Sequence, residues 1–135
     1  MQNMGLAKDH VIRAEKRLSA LKALYKEQAW ADVVRESQEV VELALKGLLR
    51  ACNIEVPRVH DVSDIMIREK ALMPAPLRPE LSKLAKISKN LRRDRELAFY
   101  GSEDLTPKDF YKEDDAKLAM DQATYTVKAV KPHVV

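Results

Sequence analysis

Three arginines fall within four positions of the stretch KNLRRDRELAFYG, Lys89 to Gly101. Arg92, Arg93 and Arg95 surround one acid, Asp94, and the stretch closes on Phe99, Tyr100 and a glycine. A guanidinium is a planar fork that holds phosphate oxygens two at a time. An adjacent carboxylate fixes such a fork, and an aromatic ring offers a face on which a base can stack. The chemistry on offer is therefore recognition of RNA or nucleotide phosphate, with Arg93, Asp94, Arg95 and Tyr100 as the candidate ligand-binding residues. The same residues make poor catalysts, because a tyrosine titrates near ~10 when unperturbed. A simpler alternative is that the helix frays after Leu91 and its arginines are solvated, where cations offset the helix macrodipole.

The other polar features are weaker. His10, His60 and His133 are the only histidines, and none lies at ligand spacing on a helix. The pair His60-Asp61 therefore does not make a metallohydrolase site, and the absence of any Glu-x-x-His disfavours a di-iron bundle centre. Cys52 is the single cysteine, which excludes an intrachain disulfide and a cysteine zinc cluster. No metal and no cofactor is expected. Glu42 and Lys46 stand four apart in the favourable order for a helical ion pair and read as surface decoration. KEDDAK, Lys112 to Lys117, reads as a solvated face. There is no glycine-rich phosphate loop and no nucleophile elbow, so no catalytic residue is assigned.

These residues must be positioned by helices. Glycine occurs three times in 135 residues, helix formers dominate, and no alternation marks a strand. A first helix is expected from about Leu6 to Gln28, with Leu6, His10, Ile12, Ala14, Leu18, Leu21 and Tyr25 on its apolar face. A second runs from about Ala29 to Cys52, lined by Trp30, Val33, Val34, Val41, Ala44, Leu45 and Leu48. No glycine or proline divides these two. Asn53 stops the second helix, and Pro57 disfavours helix before itself. A short third helix covers Val62 to Leu72, capped by Asp61 or Ser63. After the proline-rich MPAPLRP, a fourth runs from about Pro79 to Phe99, and a last one from the cap Thr106-Pro107 to about Val130. Ala116, Ala119, Ala123, Val127 and Val130 form its narrow stripe. The expected fold is all-α: an antiparallel up-and-down four-helix bundle with one additional short helix, in a single domain spanning residues 1–135. On the fourth helix Leu77, Leu81, Leu84, Ser88 and Leu91 share one side, and continuing the wheel at about 100° per residue carries Arg95 and Phe99 onto it. An arginine on an inward stripe must be paired, or must face a cleft or a partner chain.

The charge is nearly balanced, 24 basic against 21 acidic residues, which permits a polyanion partner without requiring one. No apolar run approaches a membrane span, and MQNMGLAKDH lacks the apolar core of a signal peptide, so a cytoplasmic protein without a membrane association is expected.

Three segments, in order along the chain, resemble a known family. WADVVRESQEVVELALKGLLRA is similar to the second helix of the HEPN domain, an aromatic followed by a Gln-x-x-x-Glu-x-x-x-Lys run into leucines, here Trp30, Gln38, Glu42 and Lys46. VHDVSDIM resembles the segment of histidine and aliphatic residues before the family's short helix, and KEDDAKLAMDQA resembles its final helix. The resemblance covers nearly the whole chain. It implies a helical up-and-down bundle that forms homodimers. In ribonuclease members an arginine, a polar residue and a histidine four to six residues further on make an active site across the dimer cleft. Some of these belong to toxin-antitoxin systems; other members lack the signature and are encoded beside small nucleotidyltransferases. Here Arg93-Asp94 matches the first half of the signature. The histidine position falls in Ala98-Phe99-Tyr100, and no histidine occurs between Asp61 and Lys131. Metal-independent RNA cleavage needs a group that moves protons near neutral pH, the task histidine suits. The resemblance therefore implies a homodimeric, non-catalytic HEPN-like binding or partner module with an arginine-rich cleft for RNA or nucleotide phosphate. A weak metal-independent endoribonuclease, or a protein partner of a minimal nucleotidyltransferase, is the alternative.

Overall fold

The computed structural model of the chain describes residues 4–56, 58, 62–92 and 110–135, and for residues 93–100 the backbone alone. It contains five described α-helices: α1 (Met4–Lys26), α2 (Trp30–Ala51), α3 (Val62–Arg68), α4 (Leu81–Tyr100) and α5 (Glu113–Val130). Short 3-10 turns cover Lys70–Leu72, Ala75–Glu80 and Lys131–His133, and no strand occurs among the described residues.

The break between α1 and α2 has a local cause that needs neither glycine nor proline. Gln28 takes a left-handed conformation, φ 60°. Its N–H donates to the Tyr25 carbonyl at 2.9 Å, and the Ala29 N–H donates to the Leu24 carbonyl at 3.0 Å. These are the two bonds of a Schellman cap, which satisfies carbonyls left over at a helix end. The end of α2 repeats the device. Asn53, at φ 62°, donates to Arg50 at 3.0 Å, and Ile54 donates to Leu49 at 2.9 Å. Asn53 thus stops α2 as the sequence implies.

Contacts between three pairs of helices fix the direction of the long helices. Arg17 meets Glu36 at 3.1 Å, while Ala7 and Val11 pack at Gly47, so α1 and α2 are antiparallel. Lys131 reaches Glu15 at 2.6 Å, and the Glu113 carboxylate accepts from the Tyr25 hydroxyl, so α5 runs antiparallel to α1. The Tyr125 hydroxyl donates to Glu80, while Asn90 and Leu91 lie opposite Asp115 and Leu118, so α4 runs antiparallel to α5. The result is an up-down-up-down arrangement. Helix α2 is its centre, packing on α1, α5, α4 and α3, whereas α4 and α5 meet each other sparsely.

That centrality explains the breadth of the buried face of α2. Val33, Val34, Val40, Val41, Ala44, Leu45, Leu48 and Leu49 are all buried, more of the circumference than a single stripe. Helix α1 buries Ala7, Val11, Ala14 and Leu21, so its register is centred on Ala7 and Val11, while Leu6 and Ile12 are only half-buried. The reason lies at Gly47. A Cβ there would stand 2.7 Å from the Val11 Cγ2 and 3.0 Å from the Ala7 carbonyl oxygen. The two helices cross closely because both present small residues there.

Three expected boundaries move. Helix α3 ends at Arg68, and Lys70–Leu72 is a separate 3-10 turn, because Glu69 leaves helical geometry at φ −98°, ψ 28°. Ser63 lies inside α3, fully buried, and is not its cap; Asp61 is outside the described residues. Helix α4 begins at Leu81, not Pro79, because Pro76 and Pro79 lack the N–H of an α-helical ladder and hold Ala75–Glu80 in a 3-10 turn. Arg78 braces that turn by donating to the carbonyls of Met73 at 3.2 Å and Ala71 at 2.9 Å. The last helix is not continuous from Thr106. Tyr111 and Lys112 are non-helical, and α5 starts at Glu113. The acids read as a solvated face begin it: Asp115 accepts from the Lys112 N–H at 2.9 Å, and Glu113, Asp114 and Asp115 fill the first turn. They are indeed exposed. The expected cap at Thr106-Pro107 lies outside the described residues.

Candidate ligand-binding site

Helix α4 positions the arginine stretch. Its first part is anchored by Leu81, Leu84, Ala85, Ile87, Ser88 and Leu91, all buried, and by the preceding Leu77. This is the stripe that the sequence implies, widened by Ala85 and Ile87. Lys89 ties α4 to α3 through Asp64 at 3.0 Å. The helical backbone then continues without interruption through Arg92 to Tyr100. The expected fray after Leu91 is therefore absent from the backbone. The side chains of Arg93, Asp94, Arg95 and Tyr100 lie outside the described residues, as do His60, Asp61 and Pro57.

Arg92 is described and exposed, and it has a counterpart on α2. Gln38, Glu42 and Lys46 stand one turn apart on that helix. The Gln38 amide donates to the Glu42 carboxylate at 3.0 Å, and the Lys46 ammonium meets its other oxygen at 3.1 Å. Burial alone raises the Glu42 pKa. The hydrogen bonds from Gln38 and Lys46, joined by the charges of Lys46 and Arg92, outweigh it and hold the carboxyl below its ordinary value. Glu42 is therefore ionised at neutral pH. Gln38 is 5% exposed, and its amide oxygen finds no donor among the described residues. A buried, unmatched acceptor is costly, on the order of 1–3 kcal/mol. The Glu42–Lys46 pair is thus more than surface decoration: it belongs to a half-buried polar ladder beside the arginine end of α4. Sequence reasoning missed Arg92 and the burial of Gln38. A glutamine recurring at the spacing of Val34, Val41 and Leu45 was the signal that was available.

His10 sits at the α1–α2 crossing, where its Cβ borders Gly47. Burial first, then the nearby charges of Arg50 and Arg13, lower its pKa, against a smaller opposing effect of Asp9. It is a packing residue on the apolar face, as its spacing implies. Cys52 is half-buried, and burial pushes its thiol pKa up, away from reactivity. Among the described residues no three His, Cys, Asp or Glu side chains gather to hold a metal ion, and no helix is long and apolar enough to cross a membrane.

The profile of the HEPN domain matches residues 7–133, nearly the whole chain. No curated protein and no solved structure matches the chain significantly.

Proposed function

The chain belongs to the HEPN family, and from that premise we propose that it is a homodimeric, non-catalytic binding module whose α4 arginine end holds RNA or nucleotide phosphate. The observation that carries this reading is the unbroken helical backbone of α4 through Tyr100. On a regular helix, position 95 lies four residues beyond Leu91 and seven beyond Ser88, in line with a stripe that is buried up to Leu91. Position 93 lies about 200° from position 95 around the axis. Arg95 is thus the residue assigned to the cleft or dimer contact, with Asp94 beside it, while Arg93 supplies a second, looser charge. The polar ladder of α2 supports the same end of α4, since its ionised Glu42 feels the charge of Arg92.

Catalysis is not part of this reading. No histidine follows Arg93 or Arg95 at the family's spacing, and neither Phe99 nor an ordinary tyrosine moves protons near neutral pH. The test is a combined measurement on purified protein: mass in solution at micromolar concentration, and binding and cleavage of a labelled single-stranded RNA without added metal. Dimers that bind RNA and leave it intact are expected. A stable monomer across that range contradicts the cleft, and rapid cleavage contradicts the non-catalytic assignment.

A further inference from the structure

Because α4 and α5 both pack on α2 and barely on each other, a furrow is left open along their seam. Its middle hollow, about 370 Å³, is lined by Lys83, Lys86, Ile87, Asn90, Leu118 and Tyr125 among others. A smaller hollow of about 150 Å³ adjoins it, sharing Asn90 and Leu118. A third, about 380 Å³, adjoins it at Tyr125 and extends past Lys128 to His133. Along α5 the lining runs from Asp115 to His133, roughly 27 Å at about 1.5 Å per residue. That is the length of a helix of about eighteen residues, not of a small metabolite.

The lining has a definite chemistry. Leu118 is 60% exposed, the most exposed of the large apolar side chains in the described residues, and it lines the hollow opposite α4, where Ile87 is buried. The furrow's acids are Asp115, Asp121 and Glu80, and each is already engaged, Asp115 by the Lys112 N–H at 2.9 Å. Asp121 receives Lys117 at 2.9 Å on both oxygens, and Glu80 accepts the Tyr125 hydroxyl. The cations are not engaged in the same way. Lys83 lies over the Tyr125 ring at 3.8 Å, and neither Lys86 nor Lys128 has an ion-pair partner among the described residues. An apolar anchor flanked by unneutralised lysines complements a segment that is apolar on one face and acidic on its sides.

We infer that the α4–α5 furrow is a docking groove for an acidic, amphipathic helix of a partner protein, anchored on Leu118 and steered by Lys83, Lys86 and Lys128. A nucleic acid fits less well, because it would leave Leu118 in water. The inference does not depend on the arginine end of α4 and stands or falls separately from it.

The test uses the full chain and a fluorescent synthetic helix of eighteen residues, with leucine at i, i+3, i+4 and i+7 spacing and glutamate elsewhere. A matched peptide carrying lysine in place of glutamate, and a single-stranded RNA oligonucleotide, serve as counter-probes. The acidic helix is expected to bind and the basic one not to. Leu118→Asp and Lys86→Glu should each weaken binding at least about tenfold, while Leu118→Asp, an exposed position, keeps the wild-type helicity. Should Leu118→Asp fail to fold, Lys86→Glu and Leu118→Ser carry the same expectation. Absence of acidic-helix binding, or binding indifferent to Leu118, overturns the inference. So does RNA binding that Lys86→Glu abolishes and Leu118→Asp leaves intact, since the furrow is then a polyanion site. Conversion of a dimer to a monomer by Leu118→Asp also overturns it, since the furrow is then a self-interface.

Discussion

Individual residues carry two consequences that can be measured. Gly47 lies where α1 and α2 approach closely, and a Cβ added there would stand 3.0 Å from the Ala7 backbone oxygen, which cannot rotate away. Alanine in a helix interior ordinarily gains about 1 kcal/mol over glycine, but here the added methyl also meets Val11 at 2.7 Å. Overpacking of this kind costs roughly 1–3 kcal/mol, so Gly47→Ala should lower the thermal midpoint by several degrees when unfolding is followed by circular dichroism. An unchanged or raised midpoint would mean that the crossing is looser than described. His10 gives a pH dependence with a definite sign. Its folded pKa lies below the ordinary 6.5, so the unfolded chain binds that proton more tightly. The stability is complete above the unfolded value and declines as pH falls through it toward the folded one. His10→Gln should flatten urea-midpoint stability between about pH 7 and pH 5 relative to wild type. A parallel pair of curves would assign the wild-type dependence to other groups. At this scale the sequence was informative about type and less so about register. His10 is on the apolar face as its spacing implies, but Ala7 and Val11, not Leu6 and Ile12, define the seam, because the small residue that sets it, Gly47, lies on another helix.

Elements were legible where a residue type enforces a backbone conformation, and illegible where packing does. Asn53 announces the end of α2 because asparagine tolerates the left-handed region better than most residues. Gln28 ends α1 with the same pair of cap bonds and gives no such signal, since glycine is the usual residue at that position. Relieving it should help: Gln28→Gly is expected to stabilise the protein by about 1 kcal/mol, read as a shift in denaturation midpoint at constant slope. A loss of stability would show that the Gln28 side chain contributes more than its backbone costs. Pro79 is compatible with the first turn of a helix, yet together with Pro76, three residues before it, it suits a 3-10 turn better. The break at Tyr111-Lys112 was missed because the acids that start α5 read equally well as the interior of an exposed helical face. The stripe of α4 from Leu77 to Leu91 was readable because its periodicity is strong and its partner, α2, lies along it.

The whole molecule is an up-down-up-down helical bundle built around α2, and the HEPN family shares this helical fold. Its periodic, glycine-poor sequence made that architecture readable in advance. The candidate site was only half readable. The arginine cluster stands out in the sequence, whereas the polar ladder of Gln38, Glu42 and Lys46 emerges only when α4 brings Arg92 to it. The furrow was not readable at all, because it is the space that two helices leave by packing on a third. The central claim is that the α4 arginine end takes phosphate through Arg95 more than through Arg93. It is tested most directly by fluorescence anisotropy of a labelled single-stranded RNA, titrated with wild type, Arg95→Ala and Arg93→Ala over a series of salt concentrations. Wild-type binding should weaken as salt rises, and Arg95→Ala should bind more weakly than Arg93→Ala and lower the logarithmic salt slope by about 0.7, the share of one phosphate contact on a single strand. If Arg95→Ala instead leaves affinity, salt slope, dimer mass and stability unchanged, Arg95 is a solvated helix residue and the account is wrong.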